Sequence, residues 1–128
     1  MDTFVTLSPD DFEQGFFEAE EAILLDVRTP MEFSMRHLES CMQLDFSSHE
    51  FREVIRILDP DIPYFVYSET GERSHEACEY LAKKKFKEVY MLQGGIDAWE
   101  QAGKETVNAA NFSDDALKKL SEALFFSD

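Results

Sequence analysis

Short apolar runs alternate along the chain with amphipathic stretches, and the spacing within each run predicts its element. Residues 4–7 form a β-prone run. Ser8 then stands as an N-cap before Pro9, with Asp10 and Asp11 in the first turn, where the helix dipole favours anions. Phe12, Phe16 and Phe17 follow at helical spacing. Residues 22–26 form an apolar run that ends in Asp26, and residues 64–67 are apolar throughout; both patterns predict strands buried on two faces. Thr29, Pro30 and Glu32 predict a capping box that opens a short helix. A brief strand over 42–46 precedes a helix over 48–58, whose stripe is Phe51, Val54, Ile55 and Leu58 and whose stop is Asp59-Pro60. Residues 74–85 predict a helix ending in lysines, 88–91 a strand, and 96–102 a helix closed by Gly103.

This alternation predicts an α/β fold, a central, mostly parallel five-stranded sheet with helices on both faces. Such sheets hold ligands beyond the carboxyl ends of their strands. The segments after Asp26 and after Tyr67 are therefore where chemistry is expected. One domain is expected over residues 1–103. Residues 104–128 form an extension in which Leu117, Leu120 and Leu124 recur at helical spacing, followed by Phe125 and Phe126. That helix either packs on the domain or docks a partner, a second copy included.

Composition narrows the classes. The chain has 128 residues, one domain's worth, with 27 acidic against 12 basic residues and a formal charge of −15. That balance argues against nucleic acid and anionic membranes, which would repel it. No apolar stretch reaches bilayer length and the first residues lack a basic signal start, so a reduced cytoplasmic domain is expected. The two cysteines, Cys41 and Cys78, are too few for a disulfide framework or a thiolate zinc site. No cluster has metal-ligand spacing, and no metal or cofactor is expected.

The segment after Tyr67 runs Ser68, Glu69, Thr70, Gly71, Glu72, Arg73, Ser74 and leads from a strand directly into a helix. A tight loop there can turn backbone amides inward beside a helix N-terminus, which makes an anion-binding nest. Gly71 permits a positive φ, and Arg73 offers a forked cation. An ordinary polar connection with Ser74 as N-cap fits the same residues, and the loop by itself leaves both readings open.

Four elements, in order, carry a family likeness. They are Asp26-Val27-Arg28 with Glu32-Phe33, then His37-Leu38, then the 66–74 loop, then Leu92-Gln93-Gly94-Gly95-Ile96-Asp97-Ala98-Trp99. Over about residues 4–103 the chain resembles a single-domain rhodanese, the sulfurtransferase family that carries sulfur as a cysteine persulfide. The resemblance implies a ligand loop of Glu69, Thr70, Gly71, Glu72, Arg73 and Ser74. It also implies that Asp26, Arg28 and His37 support the site structurally through charged hydrogen bonds.

One departure governs the function. Ser68 stands where the family has its catalytic cysteine. Sulfur transfer needs a thiolate that attacks sulfane sulfur and holds it, and a hydroxyl can do neither. A serine nucleophile would need a base, and His75, the nearest candidate, has nothing to place it. Cys41 and Cys78 read as packing residues. Glu69 and Glu72 put acids on the loop rim and disfavour a dianion such as thiosulfate. The six-residue loop fits the sulfurtransferase type, whereas the related phosphatases carry a longer one. Two readings remain. One is a non-catalytic module that binds a protein, a peptide or a small anionic or sulfur-containing ligand. The other is a sulfurtransferase whose natural cysteine has been replaced by serine.

Overall fold

The computed structural model describes residues 3–108. The elements run β1 (Val5–Leu7), α1 (Pro9–Glu18), β2 (Ile23–Asp26), α2 (Pro30–Met35), β3 (Met42–Gln43), α3 (His49–Ile55), β4 (Tyr64–Tyr67), α4 (Glu72–Lys83), β5 (Val89–Leu92) and α5 (Gly95–Gln101). The five strands form one sheet in the order β1-β5-β4-β2-β3, and every pairing is parallel. The α/β architecture expected from the apolar pattern is therefore present. The helix expected over Leu117, Leu120 and Leu124 lies outside the described residues.

Alternation along the strands sorts the core into two layers. Leu25, Tyr64, Val66, Val89 and Met91 face one side, where Phe51 and Ile55 of α3 and Ala77, Cys78 and Leu81 of α4 pack on them. Leu24, Phe65, Tyr67 and Leu92 face the other, against Phe12 of α1 and Ile96 and Trp99 of α5. Each central strand thus buries both faces, which is why its sequence is apolar without alternation.

Capping residues set most boundaries. Ser8 accepts from Asp11 N, and at α2 the Thr29–Glu32 capping box forms in both directions. At α3 the Ser48 hydroxyl donates to Asp45 O and makes no cap bond. Helix α3 is also shorter than the 48–58 stripe suggests. The segment after α5 returns to the α2 end: His37 and Val107 exchange both backbone hydrogen bonds, at 2.8 and 2.9 Å. No helix among the described residues is long and apolar enough to cross a membrane.

Candidate functional site

The sheet register places Asp26 beside Tyr67, at the carboxyl ends of two neighbouring strands. The loops that follow them meet there. Helix α4 begins at Glu72, two residues earlier than the polar pattern suggests, because Gly71 takes φ +115° and serves as its N-cap. Ser74 consequently sits inside the first turn rather than at the cap.

That shift builds a nest around Ser68. The backbone amides of Gly71 and Ser74 both donate to Ser68 Oγ, at 3.2 and 3.1 Å. The Ser68 hydroxyl donates to Ser74 Oγ at 2.9 Å, and the Ser74 hydroxyl donates onward to Gly71 O at 3.1 Å. Ser68 is 1% exposed. Two amides and a helix N-terminus converge on one oxygen, the arrangement that would stabilise an anion at that atom. Here the atom is a hydroxyl oxygen, and its donor and acceptor capacity is used locally.

The loop is clamped from the side by α5. Ile96 N donates to Ser68 O at 2.9 Å and Asp97 N to Glu69 O at 3.2 Å. Gly94 and Gly95 have φ +76° and +67°, which is why two adjacent glycines precede this helix.

Asp26 and Arg28 form the buried base. Arg28 Nη2 lies 2.8 Å from Asp26 Oδ2, with the side chains 1% and 0% exposed. Burial works against the Arg28 charge, but the hydrogen bonds and charge of Asp26 outweigh it and hold the guanidinium above its usual pKa. The Tyr67 hydroxyl donates to Asp26 Oδ2 at 2.6 Å and accepts from Leu38 N at 3.1 Å. His37 stacks on Phe33 with centroids 3.8 Å apart, and its Nδ1 lies 2.7 Å from Phe33 O. Asp26 and Arg28 hold the loop base, and the contacts of His37 include Phe33 and Val107.

The charged side chains of the loop are placed differently from their sequence reading. Arg73 Nη1 and Nη2 grip Glu32 Oε1 and Oε2 at 2.7 and 2.8 Å. The Arg73 hydrogen bond, outweighing burial, lowers the Glu32 carboxyl to about 2. Glu69 is turned inward from the rim, onto Arg28 at 2.9 Å and onto Arg36. Arg36 also binds Asp97 and Glu100 of α5, so one guanidinium straps the loop to that helix. Acids instead gather beside Gly71, where Glu72, Glu76 and Glu79 with His75 line a hollow of about 590 Å³.

Neither cysteine lies in the loop. Cys78 is fully buried among α4 core residues, and burial pushes its thiol well above the ordinary value. Cys41 Sγ lies 3.3 Å from the Tyr67 hydroxyl; burial, with the nearby Asp26 charge, pushes its thiol up to about 11. Thiols with such shifts carry almost no thiolate near neutral pH.

Sequence reasoning missed Tyr67, Arg36 and the second role of Glu32. Parity alone signals Tyr67, since it ends β4 on the face where Asp26 ends β2.

Comparison with known proteins agrees with this geometry. Residues 8–102 match the model of the Rhodanese-like domain. A thiosulfate sulfurtransferase GlpE of Ectopseudomonas mendocina is 32% identical over 99 residues, 77% of this chain and 87% of the relative. The corresponding protein of Pseudomonas entomophila is 33% identical over 100 residues, with the same coverage. Among solved structures, a rhodanese-related protein of Thermoplasma volcanium superposes with a TM-score of 0.71 at 28% identity, covering 81% of this chain and 98% of that one. A thiosulfate sulfurtransferase of Pseudomonas aeruginosa gives 0.72 at 26% identity, covering 94% of this chain and 23% of that one. With the nest, its clamping glycines and its buried aspartate–arginine base all in place, the chain belongs to the rhodanese-like family.

Proposed function

We propose that this chain is a non-catalytic rhodanese-like module that binds a partner through its 68–74 loop face. The observation that carries the reading is the position of Ser68 Oγ, a hydroxyl at the point where the nest converges. Sulfur transfer would require a thiolate at that point, attacking sulfane sulfur and releasing the former carrier as leaving group. Cys78 is buried and Cys41 half-buried, and desolvation shifts both thiols toward the neutral form.

The charge distribution favours a basic protein or peptide segment over a free anion. Arg28, Arg36 and Arg73 are each already paired with carboxylates. Glu72, Glu76 and Glu79 line the hollow beside the loop, on a chain of formal charge −15. Such a surface attracts cations and repels thiosulfate. Amide shifts of residues 68–76, followed during titration with a lysine-rich peptide and separately with thiosulfate, test this. The peptide should move them and thiosulfate should not; the reverse pattern would overturn the reading.

A second reading rests on the intact nest: a sulfurtransferase in which serine replaces a natural cysteine. The Ser68→Cys variant separates the two. Amide donors and a helix N-terminus should hold its thiol below the free value of about 8.5. Brisk thiosulfate:cyanide turnover by that variant would favour the second reading. A variant with a low thiol pKa and no turnover would favour the binding module.

A further inference from the structure

Helix α2 puts little of itself into the core. None of its six residues is fully buried, and Met31 and Met35, one turn apart on the same side, are 75% and 71% exposed. The short helix is held instead by its capping box and by Glu32, which the Arg73 guanidinium grips from α4. A single exposed apolar side chain is ordinary in a folded protein. Two neighbouring thioethers left to water make an adaptable apolar patch, suited to receiving another protein's side chain.

The Arg73–Glu32 ion pair joins this patch to the loop. Glu32 stands between Met31 and Met35 on α2, and Arg73 follows Glu72 at the start of α4. The pair thus brings the methionines up to the acidic hollow, and it is itself only half-buried. On the far side, Glu72, Glu76 and Glu79 are all exposed and line that hollow, at spacings of four and three residues on one face of α4.

We infer that the basic partner proposed for the loop face, on which reading this rests, also carries a large apolar side chain and seats it on Met31 and Met35. Its cations lie along Glu72, Glu76 and Glu79. Charge selects this occupant. A second copy of the chain, of formal charge −15, or an anionic membrane would bring like charges against the three glutamates. The glutamates attract and orient the partner, but salt screens exposed charges. Apolar burial is not screened in this way, so the methionine contact carries the affinity that persists at physiological salt.

Two lysine-rich peptides test this, one with leucines at one end and the other with serines in their place. The full chain is labelled at its methionine methyls. The leucine peptide should bind about tenfold more tightly, which burial of part of one leucine supplies. It should also move the Met31 and Met35 methyl signals, while that of Met42, packed against the core, stays. Met31→Ser combined with Met35→Ser, both at exposed positions, should bring the leucine peptide down to the affinity of the serine peptide. Equal affinity of the two peptides for the unsubstituted chain would overturn the inference and leave the loop-face reading standing. So would a leucine preference that leaves the Met31 and Met35 signals unmoved or survives in the double variant. Binding of neither peptide would overturn both.

Discussion

A Cβ added to Gly95 would lie 2.4 Å from the carbonyl oxygen of Glu69 and 2.5 Å from that of Ser68. The start of α5 and the ligand loop are therefore held at a separation that only glycine permits. Gly95 also has φ +67°, so a side chain there would be strained even without the contact. Gly95→Ala should cost at least about 2 kcal/mol, from strain and from forcing the loop away. Gly103→Ala provides the control, because φ is +82° there and nothing lies within 4 Å of the added carbon. It should cost about 1 kcal/mol, the strain alone. Urea unfolding of both variants checks the difference.

The Asp26–Arg28 pair predicts a larger loss. Asp26 accepts from Arg28 N, Nε and Nη2 and from the Tyr67 hydroxyl, all out of water. Asp26→Ala would strip the guanidinium of its fully buried counter-charge and leave it the partly exposed Glu69 carboxylate, a change toward the roughly 3–5 kcal/mol typical of a broken buried pair. Arg73→Ala breaks a pair whose side chains are 35% and 32% exposed, so solvent screening makes its cost far smaller. Equilibrium unfolding should rank the two in that order.

The Arg73–Glu32 pair also gives a pH signature. The folded-state pKa of Glu32, about 2, lies below the unfolded glutamate value of roughly 4.3. Stabilisation from this group is therefore fully present above that unfolded value, and it is lost as pH falls toward 2. The unsubstituted chain should lose more stability between pH 5 and pH 2 than Glu32→Gln, measured by urea midpoints across that window. Equal slopes would show that the pair does not act in solution.

Local patterns carried most of the fold. The Thr29–Glu32 box, the doubly apolar strands and the Gly94-Gly95 pair are each written within a few adjacent residues, and each forms where the pattern places it. The charges of the site behave otherwise. Arg73 reaches Glu32 across 41 residues and Arg36 reaches Asp97 across 61, and no local rule ranks such partners against a ligand. The early start of α4 was hidden for a related reason. Gly71 can be a mid-loop residue or a left-handed cap, and the choice depends on Ser68 Oγ drawing the Gly71 and Ser74 amides together.

The account rests on the absence of a thiolate where the nest converges, and intact-mass spectrometry after incubation with thiosulfate tests this most directly. Transfer would join the outer sulfur of thiosulfate to a cysteine and release sulfite, adding one sulfur atom to the chain. Cys41 and Cys78, whose thiols burial holds in the neutral form, should not react, and the mass should stay unchanged. One added sulfur, mapped to either cysteine by peptide digestion and removed by cyanide, would contradict the account.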